Sequence, residues 1–164
     1  MEMTSFRPFK FLWHALVNEN TPRQLAWGVA LGVLIGLVPK DNLIAVALAA
    51  ILFSLRVNLR AAMIAAFVCS WIGMLMDPFF NHIGYVILTF KPLESSLTNV
   101  YRWPYMPWTA FNNTVVMGSF VVGVVQLYPT YRFSRRYFEN RQNKWAKMEP
   151  NLKKSGLAIG ANPA

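Results

Sequence analysis

Apolar residues in this chain come in continuous runs. They show neither the alternation of a half-buried strand nor the narrow stripe of a soluble amphipathic helix. Two runs lie between Thr21 and Leu55, on either side of a polar break, Pro39-Lys40-Asp41-Asn42. A third spans Ala61 to Met76, a fourth Phe79 to Phe90, and a fifth Thr114 to about Tyr131. Runs of this kind predict helices in a bilayer.

The signals at the run ends sharpen those helices. Thr21-Pro22-Arg23-Gln24 reads as a helix start, with Thr21 as cap, Pro22 at the first helical position and Gln24 closing a Thr-x-x-Gln capping box. The first helix then reaches about Leu37. Gly28, Gly32 and Gly36 recur every fourth residue and line one face, a groove that lets another backbone approach closely. Pro39 ends the helix, and Asp41 or Asn42 caps a second one that closes near Leu55. At about 14 residues and roughly 21 Å, the second helix is shorter than the ~30 Å of bilayer hydrocarbon. Either snorkelling side chains flank it, or the pair is re-entrant and buried in protein.

Arg56-Val57-Asn58-Leu59-Arg60 reads as a tight polar turn. The third helix, Ala61 to Met76, carries Ala62, Ala66, Ser70 and Gly73, a small-residue face that competes with an outside helix for the glycine groove. Asp77-Pro78 reads as a break before a short element, Phe79 to Phe90. Residues 91–113 form an aromatic loop whose Tyr101, Trp103, Tyr105 and Trp108 suit headgroup depth. Residues 1–20 mix Phe6, Phe9, Phe11, Leu12, Trp13, Leu16 and Val17 with Arg7, Lys10 and His14. They read as an amphipathic interfacial helix or a helix packed on the bundle. From Arg132 the chain turns basic, with helix expected to about Met148 and disorder over the last ten residues.

The fold class expected is therefore an all-α integral membrane protein. It has about four short transmembrane helices, an amphipathic N-terminal helix (1–20) and a basic C-terminal helix within a cytoplasmic tail (132–164). The transmembrane domain is residues 21–131, with helix–break–helix units at 21–55 and 58–90, the loop at 91–113 and a helix at 114–131. If the first helix runs outward, the second returns, the third runs outward and the last returns, then residues 1–24, 56–60 and 132–164 share one side. They hold 13 of the 16 Lys and Arg, which the positive-inside rule makes cytoplasmic.

Composition agrees. The 164 residues are 55% hydrophobic and 14% charged, well below the roughly 25% charged typical of soluble domains. The net charge of +9 fits anionic membrane or nucleic acid, and the apolar content and the aromatics of the tail (Tyr137, Phe138, Trp145) favour membrane. Cys69 is the single cysteine, so there is neither an internal disulfide nor a cysteine-based metal site. No small-residue cleavage site follows the first apolar run, so no cleavable signal peptide is expected. His14 and His82 stand in different elements, and neither Ser70 nor Cys69 has a base nearby in sequence. With no phosphate loop, dinucleotide fingerprint or metal-ligand cluster, no enzyme, cofactor or metal is expected.

The two helix–break–helix units raise one polar candidate. Paired interrupted segments mark binding sites in transporters, and they would gather Lys40, Asp41, Asn42, Asn58, Asp77 and Pro78 as a polar site. The competing reading makes these residues caps and turns. The glycine groove with Ala62, Ala66 and Gly73 is the packing or partner surface.

From Pro22 to Pro78 the chain resembles a family of small bacterial membrane proteins classed as a domain of unknown function. The pattern is Pro22, Ala26, Gly28, Gly32, Gly36 and Pro39, then Arg56 and Asn58, then Asp77-Pro78, where the family typically has Asn-Pro. The resemblance covers residues 20–90. It implies a bacterial inner-membrane location and no established enzymatic activity. The aromatic loop and basic tail look like a proteobacterial subgroup, one encoded beside a large envelope protein similar to the AsmA-type lipid-bridge proteins. The function expected is a non-enzymatic subunit that partners such a single-span bridge and assists phospholipid transport. The alternatives are a small transporter built from two re-entrant hairpins, or a membrane anchor for a cytoplasmic enzyme docked through the basic tail.

Overall fold

A computed structural model describes residues 20–154. The amphipathic helix expected at the N-terminus and the disorder expected at 155–164 lie outside the described residues. Among the described residues five α-helices form: α1 (Pro22–Leu37), α2 (Leu43–Ser54), α3 (Leu59–Leu88), α4 (Lys91–Tyr101) and α5 (Thr114–Lys154), with a short 3-10 turn at Met106–Thr109. No strand occurs among the described residues.

The start of α1 is the expected capping box. The Gln24 N–H donates to Thr21 Oγ1 (3.3 Å), and the Thr21 N–H donates to Gln24 Oε1 (3.3 Å). Asn42, rather than Asp41, caps α2: its Oδ1 accepts from the Ala45 N–H at 3.0 Å, and its amide donates to Pro39 O at 2.8 Å. Asn58 caps α3 in the same way, accepting from the Ala61 N–H at 2.7 Å. Each cap satisfies an N–H that the first turn leaves without an intrahelical partner.

Three expectations are corrected. Asp77-Pro78 is not a break, because α3 runs through it as one 30-residue helix. Proline removes one backbone donor, but the next turn is held in line by packing: Phe80 is buried, and Gly84 lies against α5. The 58–90 unit is thus a single rod about 45 Å long, and Asp77 is an exposed mid-helix residue rather than a cap. The 91–113 segment is not an unstructured loop. Pro92 opens α4, and the Asn112 N–H donates to the Tyr101 hydroxyl (2.6 Å), tying α4 to the approach to α5. Finally, the basic stretch is helical as expected and continuous with the preceding apolar run, but α5 does not stop at Met148. It continues to Lys154 over 41 residues.

The core is a three-helix arrangement centred on α1. Residues Leu25, Ala26, Gly28, Ala30, Leu31, Gly32, Leu34 and Gly36 of α1 are all buried, so the helix is enclosed on most of its circumference. Contact registers give the directions. Gly28, Gly32 and Gly36 meet Asn58, Ala62 and Ala66 in order, so α1 and α3 are parallel. Leu34 meets Gly123 and Trp27 stacks on Tyr131, so α5 runs antiparallel to α1. The short α2 provides the return between the two parallel helices.

The outer helices are apolar yet open. Among the described residues two helices are long and apolar enough to cross a membrane, and only 17% (α3) and 28% (α5) of their most apolar windows are buried within the chain. A core helix of a soluble protein would be mostly buried. Met63, Ile64, Phe67, Val68, Trp71 and Leu75 of α3 are all exposed, a contiguous apolar surface beyond what soluble monomers carry. These two helices suggest a membrane location.

Candidate functional site

The glycine groove of α1 is filled from within the chain. A Cβ at Gly28 would meet the Asn58 carbonyl, one at Gly32 the Ala62 backbone, and one at Gly36 would lie 2.6 Å from Cys69 Cβ and 2.8 Å from Ala66 O. Helix α3 therefore occupies the face on which a partner helix was one expected occupant. Gly73 belongs to the same face but is less tightly held, since its Cβ would find Leu37 O at 3.4 Å, an ordinary contact.

A second crossing joins α3 to α5. A Cβ at Gly84 would overlap the Thr114 backbone, and one at Gly118 would overlap the Phe80 carbonyl. The Thr114 hydroxyl also donates to Asn81 Oδ1. Residues Phe80, Gly84, Thr114 and Gly118 were not among the candidates read from the sequence. Their signal is the four-residue spacing of Thr114 and Gly118 opposite Gly84, which becomes legible only once Phe79–Phe90 is joined to α3.

Of the candidate polar residues, the structure brings two together. Lys40 and Asp77 line one recess of about 210 Å³, with Ser70, Gly73 and the last turn of α1 as its walls. Lys40 Nζ donates to Gly36 O (2.9 Å) and Val38 O (2.6 Å), two carbonyls left open at the end of α1. A cation at a helix C-terminus also complements the helix dipole. Tucking the ammonium against this turn desolvates it and pushes its pKa below the ordinary lysine value, with the Cys69 thiol acting the other way. No ion pair joins Lys40 to Asp77; among the described residues the ion pair is Arg135–Glu139 on α5. Asn42 and Asn58 are structural caps. Asn58 sits at the opposite end of the α1–α3 pair, against Gly28, and Pro78 is helix interior. The six candidates therefore do not form one site.

The same end of the bundle gathers the aromatic segment. Ala110 and Phe111 pack with Val38, Ile44 and Val116, beside the α1–α2 turn. Trp103, Tyr105 and Trp108 extend from it at 68%, 75% and 76% exposure, whereas Tyr101 is half-buried and bonded to Asn112. The arrangement provides one recess with opposite charges on its walls, at the same end of the bundle as exposed amphipathic rings of the kind that settle at headgroup depth. It can bind a small dipolar group; no group of three or more potential metal ligands occurs among the described residues.

The basic stretch is also partly structural. Phe138 is buried against Leu25 and Ala61, so it is not a membrane-surface aromatic as the sequence suggested. Gln142 Nε2 donates to Asn20 O at 3.0 Å. Along the exposed side, Arg132, Arg135 and Arg141 each donate to the tyrosine four residues earlier, Tyr128, Tyr131 and Tyr137, at 3.3 to 3.5 Å.

Comparison with known proteins gives a family and no activity. The chain is 24% identical over 124 residues to an uncharacterized protein of Treponema pallidum (strain Nichols), covering 76% of each. No solved structure matches it. A family model for an uncharacterized protein conserved in bacteria matches residues 6–147. With most of its length aligned to that model, the chain belongs to the DUF2062 family.

Proposed function

We propose that this protein is a non-enzymatic, multi-pass subunit of the bacterial inner membrane. In this reading it pairs with a large, single-span envelope protein of the AsmA-like bridge type and helps phospholipid pass between that partner and the bilayer. Both termini are cytoplasmic, the Lys40–Asp77 recess and the aromatic segment face the periplasm, and the exposed faces of α2 and α3 meet lipid or the partner's span. The observation that supports it most is a recess with a cation and a carboxylate on its walls, at the end of the bundle where the segment carrying exposed Trp103, Tyr105 and Trp108 packs on Val38 through Ala110 and Phe111. A zwitterionic headgroup fits that charge pair, its phosphate toward Lys40 and its amine toward Asp77.

Helix length supplies the mechanism. The 12 residues of α2 extend about 18 Å, so the bilayer beside it thins to match. A thinner leaflet next to the recess lowers the cost of lifting a lipid. Because the glycine groove already holds α3, the partner's span docks on the open α3 face rather than in that groove. The transporter alternative draws on two hairpins; α3 is continuous through Leu59–Leu88, so it would have to rest on the first hairpin alone.

Purification of the full chain from native membranes in mild detergent tests the pairing. A photo-crosslinking residue in place of Trp108 is expected to capture a large envelope protein with one predicted span, and the same residue in place of Phe133 is not. Recovery of the chain alone, with no crosslink from either position, contradicts the pairing.

A further inference from the structure

We infer that the opposite end of the α1–α3 pair carries a second lipid site, specific for the phosphate of an anionic glycerophospholipid in the cytoplasmic leaflet. This rests on the membrane orientation proposed above and goes beyond it, because it assigns a ligand to residues that the transport reading does not use. A recess of about 390 Å³ opens between the first turns of α1 and the α2–α3 turn. Arg23 and Arg56 line it together with Gln24 and Trp27, and its remaining walls are the apolar side chains of Leu31, Leu55 and Val57.

Three features point to an anionic amphiphile. First, two guanidiniums from separate elements converge on one cavity. Neither makes a side-chain hydrogen bond or ion pair with another described residue: the side-chain bonds of this region are those of the Thr21–Gln24 box, and the ion pair among the described residues is Arg135–Glu139. Arginine presents a planar fork that matches phosphate oxygens in pairs. Second, the cavity is amphipathic along its length. Arg23 stands at the polar start of α1 with Arg56 beside the same cavity on the α2–α3 turn, and Leu31 lies two turns further along α1, where an acyl chain would run. Third, the wall is fixed. Trp27 stacks on Tyr131 of α5 with ring centroids 4.5 Å apart, so the indole is held in place at the depth where a glycerol backbone sits. Basic pockets between helices on the cytoplasmic side are where anionic headgroups bind.

A soluble phosphate would satisfy the arginines but would leave Leu55, 47% exposed, and the open side of Val57 facing water, so the lipid is the occupant. The site would then act as an anchor. It fixes the depth of the α2–α3 turn in the leaflet, and with it the position of the short α2.

Native mass spectrometry of the detergent-released full chain tests the assignment, with phosphatidylglycerol, phosphatidylcholine and glycerol phosphate as separate probes. The chain is expected to retain phosphatidylglycerol and not phosphatidylcholine, and glycerol phosphate at millimolar concentration is not expected to displace it. The Arg23→Gln/Arg56→Gln double variant should bind phosphatidylglycerol about twenty-fivefold more weakly, about fivefold for each arginine. The Arg23→Lys/Arg56→Lys variant should recover part of the loss, and Arg102→Gln, at the other end of the bundle, should have no effect. Equal retention of both lipids, unchanged binding by the glutamine variant, or displacement by glycerol phosphate overturns the site. If the double variant fails to fold, as read by circular dichroism, the lysine variant and the three-probe comparison on the native chain still decide. A chain that incorporates into vesicles yet shows no such selectivity refutes this site alone, whereas a chain that does not incorporate refutes the membrane reading beneath it.

Discussion

Gly118→Ala is expected to destabilise the fold by about 3 kcal/mol, at the upper end of what overpacking usually costs, while Gly73→Ala leaves it unchanged or slightly more stable. Both are buried glycines on helix interfaces, and both substitutions add one methyl group. They differ in what that methyl meets. At Gly118 it overlaps the Phe80 carbonyl and approaches Gly84 N at 3.0 Å. These are backbone atoms of a helix, so relief requires moving α3 away from α5. The crossing is reciprocal, with Gly84 against Thr114, so separation at one glycine loosens both. At Gly73 the nearest atoms are Leu37 O at 3.4 Å and Leu37 Cα at 3.5 Å, which a methyl contacts without displacement. Alanine also has the better helix propensity, by up to about 1 kcal/mol. Reversible unfolding in mixed micelles, followed by circular dichroism, measures the difference. Equal effects from the two substitutions would mean that α3 and α5 are not in this close contact.

Phe138→Ala is expected to cost about 3 kcal/mol, within the range for a buried aromatic truncated to alanine, although it lies in the most basic part of the chain. Its ring packs with Leu25 and Ala61, the starts of both parallel helices, so the truncation opens a cavity where three helices meet. Phe133→Ala, which removes a side chain 75% exposed, should have little effect on the micelle-solubilised protein. Limited proteolysis gives a second readout: the Phe138→Ala variant is expected to be cut between Arg132 and Lys147 at protease levels that spare the Phe133→Ala variant. A tail that is cut equally in both would contradict packing of α5 onto the α1 and α3 starts.

Much of the first half of the fold was legible in local chemistry. Thr21 and Gln24 announce their helix because a capping box needs only residues three apart, and Asp41-Asn42 marks the next start because an amide or carboxylate oxygen three residues before an N–H is a local arrangement; Asn58, which in the sequence reads only as part of a turn, proves to cap α3 in the same way. The spacing of Gly28, Gly32 and Gly36 defined a close-approach face for the same reason. For what covers that face the sequence offers two occupants, the Ala62 and Ala66 face of α3 and an outside helix; the structure gives the first, and the choice depends on a register set by Ala62, Ala66 and Cys69 arriving from thirty or more residues away. Pro78 misled because its missing N–H is a local fact, whereas the burial of Phe80 and Gly84 that carries the helix past it is a tertiary one. Phe138 misled similarly, since its charged neighbours describe the exposed side of α5 and say nothing of the side that meets Leu25.

The polar site divided along the same line. Asn42 and Asn58 are accounted for by the caps they form, and Asp77 becomes an exposed residue on a continuous helix. Only the pairing of Lys40 with Asp77 across α1 and α3 survives as a recess, and it exists because the two helices are parallel: the end of α1 comes to rest beside the middle of α3. The cluster of Arg23 and Arg56 has the same origin at the other end. Parallel packing brings the start of α1 beside the turn that precedes α3, and so gathers two arginines that are far apart in sequence.

The central claim is that α1 and α3 cross the bilayer in one direction and α5 in the other, which puts the aromatic segment and the basic end of α5 on opposite sides. Single-cysteine labelling in a Cys69→Ala background measures this directly, using the Trp108→Cys and Arg135→Cys variants and a membrane-impermeant maleimide. On intact spheroplasts the Trp108→Cys variant should be labelled and the Arg135→Cys variant protected, and inverted vesicles should reverse the pattern. Labelling of both variants from the same side, or recovery of the protein in the soluble fraction, would contradict the account.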